Sequence, residues 1–168
     1  DRWSDPSQLE EFWDKRPEIA ASLIPPNSTV LDLGCGKMSL ESFLPENCTY
    51  LPCDVVARDE RTQVCDFNKG EMPDIEGVGI LTILGVLEYI YDVRIFLEKI
   101  HSYSLPVIMS YYPTDSGAYP DRQACGWVNH MSWQELATVC GQVGFQLYDI
   151  KRLGNSQLLL YIGTEIRS

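Results

Sequence analysis

The stretch that decides the fold is Val30-Leu31-Asp32-Leu33-Gly34-Cys35-Gly36. Thr29 and the first four residues of this stretch form a short run that is mostly apolar or β-branched, which predicts a strand over 29–33. Gly34 and Gly36 end that strand with a sharp turn. Because neither glycine carries a Cβ, a ligand could approach the backbone closely at this turn.

Outward from this turn, strand and helix patterns alternate from about residue 28 to residue 163. Further strands are predicted at 50–54, 62–65, 79–84 and 106–111, and helices begin at Pro17, at Met38, near Asp92 and after Ser132. Residues 145–162 have the pattern of a closing β-hairpin. This order predicts an α/β fold: a doubly wound, mostly parallel seven-stranded sheet with helices on both faces and a C-terminal antiparallel hairpin.

Local signals add three expectations. Pro52 lacks a backbone donor, so the second strand should be irregular or exposed around it. Ser132 and Glu135 have the spacing of a capping box, and the helix that follows should end at Gly144. A further helix is predicted to start at Asp5.

The charge of the chain limits its partners. The formal net charge of −11, from 24 acidic and 13 basic residues, would repel a polyanion unless a local basic patch overrode it. The basic residues form no such run, so we expect no nucleic acid partner; a small molecule, a sugar-like acceptor or a cationic partner fits better. No apolar stretch approaches the roughly 20 residues of a membrane span, and the charged start is unlike a secretory signal.

The six cysteines include no pair with the C-x-x-C spacing of a zinc or redox motif. Several lie in apolar runs, where a free thiol behaves as a small hydrophobic group. We therefore expect reduced thiols, no metal site and a cytoplasmic location. The chain starts at Asp1 rather than at Met, which suggests that it is trimmed or part of a longer polypeptide.

Three aspartates follow the first three predicted strands. In an open α/β sheet a ligand binds at the carboxyl ends of the strands, where Asp32, Asp54 and Asp66 fall. Asp54 could accept both hydroxyls of a ribose, and Asp66 an adenine amino group while Phe67 lies against the ring. A single aspartate is more often a turn or cap residue, but three in this order favour a nucleoside site. Ser39 replaces the third glycine of a nicotinamide-binding fingerprint.

Four ordered motifs resemble those of class I S-adenosylmethionine-dependent methyltransferases, and the likeness runs from about residue 13 to residue 162. They are motif I at 30–36, the ribose-binding acid Asp54, the adenine-side motif Cys65-Asp66-Phe67, and Gly85-Val86-Leu87-Glu88-Tyr89-Ile90-Tyr91-Asp92. The last looks like the segment after strand four, where the backbone closes over the cofactor. Within the family, the chain is most similar to the small-molecule and glycan-pathway type.

The resemblance implies S-adenosyl-L-methionine as the cofactor. The residues it implies for binding are Asp32, Gly34, Cys35, Gly36, Asp54, Val55, Asp66, Phe67, Leu84, Gly85 and Tyr89. It also implies two parts: an N-terminal helical segment at 1–27 that packs on or covers the cofactor site, and a Rossmann-like methyltransferase domain at 28–168. Many relatives begin strand four with an aspartate where this chain has Gly79, which leaves open whether the domain is fully active.

The chemistry of methyl transfer narrows the search for catalytic residues. An oxygen acceptor usually needs a base to take its proton, whereas an amine needs only to arrive deprotonated. The long aromatic segment 111–131 is the expected acceptor pocket or lid, with His130 and Tyr112 as catalytic candidates and Arg122 as a partner for an anionic group. His130 could instead be a loop anchor, and the aromatic residues could simply pack the loop onto the sheet.

These patterns predict a methyltransferase acting on a small-molecule or glycan-like acceptor, with O-methylation favoured over N-methylation. The first alternative is a catalytically silent methyltransferase-fold module that binds or scaffolds within a larger protein. The second is a nicotinamide-dependent reductase, which Ser39 disfavours.

Overall fold

The structure is a computed structural model that describes residues 15–116, 121–154 and 157–166. The helix predicted from Asp5 starts outside these residues. The α-helices and strands are α1 (Lys15–Ala21), β1 (Thr29–Leu33), β2 (Thr49–Asp54), β3 (Gln63–Val64), β4 (Ile80–Ile83), α2 (Val93–His101), β5 (Val107–Tyr111), α3 (Trp133–Val143), β6 (Gln146–Arg152) and β7 (Leu158–Gly163). Short 3-10 helices lie at Ser39–Phe43, Phe67–Lys69, Leu87–Tyr89 and Thr114–Ser116.

The seven strands form one sheet in the order β3-β2-β1-β4-β5-β7-β6. β1 to β5 pair in parallel, and β7 runs antiparallel between β5 and β6. The strand order reverses between β1 and β4, which is where an open parallel sheet offers a crevice for a ligand. The predicted fold class, including the C-terminal hairpin, is confirmed.

The core lies on both faces of this sheet, because successive strand residues point to opposite sides. On one face, Leu81 packs in a cluster with Leu97 of α2 and with residues of α3. On the other face, Val30 packs with Ala20 of α1 and with Leu40 of the first 3-10 helix. Helices therefore cover both faces, as the alternating pattern predicts.

Pro52 is buried inside β2, so the prediction of an irregular or exposed section is wrong. The Cys53 carbonyl accepts hydrogen bonds from the backbone N–H groups of Gly34 and Cys35 on the β1 side. Because backbone groups of successive residues face opposite neighbours, the nitrogen of Pro52 faces the other side. There β3 begins only at Gln63, opposite Cys53. The proline thus costs no ladder hydrogen bond.

The helix ends follow the local signals in the sequence. Ser132 Oγ accepts a hydrogen bond from Glu135 N at 3.1 Å, and Glu135 Oε2 accepts one from Ser132 N at 2.8 Å, which confirms the capping box. Gly144 ends α3 with φ of 111°. Asp92 caps α2 by accepting from Ile95 N at 3.0 Å. Among the described residues, no helix combines the length and apolar character needed to cross a membrane.

Candidate functional site

A cavity of about 550 Å³ opens at the carboxyl ends of β1, β2 and β4. All eleven residues that the family resemblance implies for cofactor binding line it: Asp32, Gly34, Cys35, Gly36, Asp54, Val55, Asp66, Phe67, Leu84, Gly85 and Tyr89. They come from four separate stretches of the chain, which the parallel strand order brings to one edge of the sheet.

The glycine turn after β1 is held tightly at the floor of the cavity. Gly34 and Gly36 adopt φ of 75° and 52°, a region that favours glycine. A Cβ on Gly34 would lie 2.2 Å from Cγ2 of Val86. The turn therefore packs against the segment that follows β4, and no larger residue fits at Gly34 without displacing Val86.

Asp54, at the end of β2, is almost fully buried, with 4% of its surface exposed. Its Oδ2 accepts a hydrogen bond from Gly36 N at 2.8 Å, which ties the glycine turn to β2. Its Oδ1 accepts from Val56 N at 3.2 Å and from Arg58 Nη2 at 3.3 Å. The carboxylate is thus oriented by its neighbours at the wall of the cavity.

Asp32 also lines the cavity, but both of its oxygens are engaged within the protein. Oδ2 accepts from the Tyr50 hydroxyl at 2.6 Å and Oδ1 from Thr82 Oγ1 at 2.7 Å. Burial raises the pKa of the Asp32 carboxyl, and these two hydrogen bonds partly offset the shift. Asp32 therefore joins β1 to β2 and β4 and fixes the shape of the floor.

We expect Tyr50→Phe to destabilise the protein by about 1–3 kcal/mol, because a buried carboxylate oxygen loses its donor. Since the folded pKa of Asp32 is raised, the folded state binds the proton more tightly than the unfolded one, and stability falls as pH rises from the ordinary carboxyl range through the folded pKa. Losing the Tyr50 donor raises this pKa further, so urea unfolding should show a loss that grows as pH rises through the wild-type pKa of Asp32. Tyr91→Phe, at an exposed tyrosine, is the control; a loss that is the same at every pH would contradict the coupling to Asp32.

Asp66 and Phe67 form the far wall of the cavity. Asp66 Oδ1 caps the short 3-10 helix by accepting from Asn68 N at 3.0 Å, and Lys69 Nζ lies 3.6 Å from Oδ2. The ring of Phe67 packs on that of Phe96, with centroids 5.5 Å apart. Both residues thus have a structural role, and both remain part of the cavity wall.

Arg16 is a cavity residue that sequence reasoning missed. It belongs to α1, is 8% exposed and lines the cavity beside Gly85. A Cβ on Gly85 would lie 2.8 Å from Nη2 of Arg16, so the glycine leaves room for the guanidinium. An arginine on a short helix carries no local signal for such burial, since its position depends on how α1 packs against the sheet.

Arg122 anchors the predicted acceptor loop. Its Nε donates to His130 Nδ1 at 3.2 Å, and its Nη atoms donate to the Tyr112 carbonyl, the Tyr111 hydroxyl and the Asn129 carbonyl. The guanidinium is buried and is not among the residues that line the cavity. The sequence predicted that Arg122 contacts an anionic group of the acceptor, whereas in the structure its N–H donors bind groups of the loop.

Neither of the two catalytic candidates lines the main cavity. His130 is exposed and does not line it, and its Nδ1 accepts from Arg122, which favours the loop-anchor interpretation. Tyr112 is 2% exposed and stacks on Trp127, with ring centroids 5.2 Å apart. It lines a second, much smaller cavity instead.

The part of the loop at 125–129 packs against the turn that follows β4. Val128 N donates to the Glu88 carbonyl at 2.9 Å, and Asn129 Nδ2 donates to the carbonyls of Leu87 and Ile90. Trp127 Nε1 donates to the Tyr89 hydroxyl at 3.0 Å. These contacts hold this part of the loop at the main cavity, where it forms one wall with Cys125, Gly126 and Val128.

The cysteines form neither disulfide bonds nor a metal-site cluster in the described part of the chain. All six cysteines are free thiols. Burial is the main cause that raises the pKa of the Cys140 thiol to about 11. Within residues 15–116, 121–154 and 157–166, no three His, Cys, Asp or Glu side chains cluster as a metal site would require.

Comparisons with known proteins place the fold. No protein-family model matches the chain, and no curated protein matches it significantly. A chain from the complex between the Haloferax volcanii Trm112 methyltransferase activator and a methyltransferase is 14% identical with a TM-score of 0.73, covering 92% of this chain and 94% of that one. A SAM-dependent methyltransferase from Aquifex aeolicus is 17% identical with a TM-score of 0.66, covering 94% and 97%.

A third similar structure is an O-methyltransferase, NcsB1, from neocarzinostatin biosynthesis, in complex with S-adenosylmethionine and 2-hydroxy-5-methyl naphthoic acid. It is 19% identical with a TM-score of 0.68 and covers 95% of this chain. The present chain spans 58% of that protein, so it matches little more than half of its length. At such identities the likeness establishes the fold.

Proposed function

We propose that this chain, which has the fold of class I S-adenosylmethionine-dependent methyltransferases, transfers the methyl group of S-adenosyl-L-methionine to a small-molecule or glycan-like acceptor. The observation that carries the proposal is the cavity of about 550 Å³, whose wall combines a close-packed glycine turn with Asp32 in β1, Asp54 at the end of β2 and Asp66 after β3. Ribose hydroxyls and an adenine amino group are donors, and carboxylates accept from them strongly.

The residues present fit that cofactor. Asp54 would accept from the ribose hydroxyls, Asp66 and Phe67 would hold the adenine, and Gly34 and Gly36 would let the ligand pass close to the backbone. When bound, the cofactor supplies a methyl group already activated on a sulfonium. The protein then has to align the acceptor behind that methyl group, which is a task of positioning.

We favour an oxygen acceptor on a small molecule. The NcsB1 structure, which shares this fold, is a complex with S-adenosylmethionine and 2-hydroxy-5-methyl naphthoic acid, a molecule that carries a hydroxyl group. A net charge of −11 disfavours a nucleic acid acceptor.

The silent-module alternative rests on the departure at Gly79, and the position of this residue gives it little support. Gly79 precedes β4, at the end of the strand opposite the cavity, and its N–H donates to the Thr29 carbonyl at 2.9 Å. The missing aspartate therefore lies away from the cavity wall.

Calorimetric titration of the full chain with S-adenosylmethionine and S-adenosylhomocysteine tests the proposal. We expect dissociation constants of about 1–100 μM, in the range of cellular ligand affinities, and no binding of reduced nicotinamide cofactors. Absence of binding by both sulfur nucleosides would refute the cofactor site. Binding without methyl transfer to any hydroxyl or amine acceptor would favour the silent module.

A further inference from the structure

A second, small cavity adjoins the main one. The space that the centre of a water molecule can occupy in it is about 10 Å³, which is near the minimum for a cavity that holds one water. It is lined by Arg16, Gly85, Glu88, Tyr89, Tyr112 and Trp127. Because Arg16, Gly85 and Tyr89 also line the main cavity, the small one is a side chamber of the proposed site.

Glu88 is the group that makes this side chamber chemically unusual. Only 1% of its surface is exposed, and its Oε1 accepts a hydrogen bond from Tyr112 N at 2.9 Å. Its Oε2 is buried and has no hydrogen-bond partner among the described residues. A buried carboxylate oxygen in that state is costly unless a ligand or a water donates to it.

The other carboxylates around the main cavity are already engaged. Both oxygens of Asp32 accept hydrogen bonds from side chains, and both oxygens of Asp54 accept from backbone N–H groups. Asp66 caps a 3-10 helix and lies beside Lys69. Glu88 Oε2 is therefore the carboxylate oxygen best placed to accept a proton from a ligand.

We infer that Glu88 is the general base of the reaction, and that its Oε2 takes the proton of an acceptor hydroxyl reaching into the side chamber. This inference rests on the proposed function. In the step, the acceptor oxygen forms a bond to the methyl carbon as the carbon–sulfur bond breaks. The bonding pair stays on sulfur, which becomes a neutral thioether, and the hydroxyl proton moves to Glu88.

The charges around Glu88 suit this role. Burial raises the pKa of its carboxyl, while backbone hydrogen bonds and the charges of Arg16 on α1 and Arg122 in the loop lower it. The other titratable groups that line the side chamber are the phenols of Tyr89 and Tyr112. A carboxylate with a raised pKa is a better proton acceptor than an exposed one, and the two arginines favour its charged form.

The test compares wild-type protein, Glu88→Gln and Glu98→Gln, a matched change at an exposed glutamate of α2. Each full chain is incubated with S-adenosylmethionine and either phenol or thiophenol. Thiophenol is ionised at neutral pH and needs no base, so it reports on cofactor binding and alignment alone. Calorimetry with S-adenosylhomocysteine confirms that the variants keep the cofactor site.

We expect Glu88→Gln to slow transfer to phenol by about 100-fold or more, with thiophenol transfer and S-adenosylhomocysteine binding unchanged. Glu98→Gln should match the wild type in every measurement. In the wild type, transfer to phenol should rise with pH through the Glu88 pKa, whereas transfer to thiophenol should follow only the ionisation of thiophenol itself, which its thiolate absorbance measures separately.

Three results overturn the inference while the proposed function stands: equal loss with both probes in Glu88→Gln, no loss with either, or wild-type transfer to thiophenol without any to phenol. A wild-type protein that binds the cofactor but methylates neither probe overturns it as well, because the general base of an oxygen methyl transfer should act on phenol. Failure of the wild type to bind S-adenosylhomocysteine instead refutes the proposed function itself.

Discussion

Asp54→Asn is expected to weaken the binding of S-adenosylhomocysteine by about 100-fold. Each hydrogen bond to a charged group contributes about 1.5–3 kcal/mol, and tenfold in affinity corresponds to about 1.4 kcal/mol, so two ribose hydroxyls account for a loss of this size. The amide has the volume of the carboxylate but offers one acceptor oxygen in place of two. Calorimetric titration measures the effect.

The buried ion pair between Asp54 and Arg58 calls for a further control. Removing the carboxylate charge leaves the guanidinium buried without that partner, which alone costs stability. Adding Arg58→Gln to Asp54→Asn should restore part of the stability without restoring affinity. Asp74→Asn, at an exposed aspartate, should bind like the wild type. If the double variant regained affinity, the loss would come from the disturbed ion pair rather than from the missing ribose contacts.

Gly34→Ala is expected to lower the free energy of unfolding by about 2–5 kcal/mol. The left-handed backbone at φ of 75° costs a residue with a Cβ about 1–2 kcal/mol. The new methyl group would also lie 2.2 Å from Cγ2 of Val86, and overpacking of this kind costs about 1–3 kcal/mol more. Urea unfolding gives the sum.

A matched glycine separates the two causes. Gly70 has φ of 78°, and a Cβ there would meet nothing within 4 Å, so Gly70→Ala measures the backbone cost alone. Val86→Ala removes the methyl group that a Cβ on Gly34 would meet. The double variant Gly34→Ala/Val86→Ala should therefore lose less free energy of unfolding than the sum of the two single losses, and the difference measures the overpacking. Similar losses for Gly34→Ala and Gly70→Ala would show that the turn can move away from Val86 at little cost.

The parts of the fold and site that the sequence predicted depend on local signals. The capping box at Ser132 and the strand before Gly34 follow from neighbouring residues, and the parallel strand order then brings Asp54 to the same edge as Gly34. Pro52 was misjudged because its tolerance depends on where a neighbouring strand begins, 11 positions further along the chain at Gln63.

The parts that escaped prediction depend on contacts between distant segments. Arg16 reaches the cavity only because α1 packs over Gly85. Glu88 lies in a motif that was interpreted through its backbone, so its side chain drew no attention. His130 is turned outward because Arg122, Asn129 and their partners set the path of the loop.

The part of the loop at 127–129 hydrogen-bonds to the turn at 85–90 through Val128, Asn129 and Trp127. If the loop detached, the carbonyls of that turn would lose their donors at the same moment. The two segments therefore constitute one cooperative unit with a shared opening free energy. For the proposed methyltransferase, we expect cofactor release and acceptor exchange to share this one local opening step and therefore to have coupled rates.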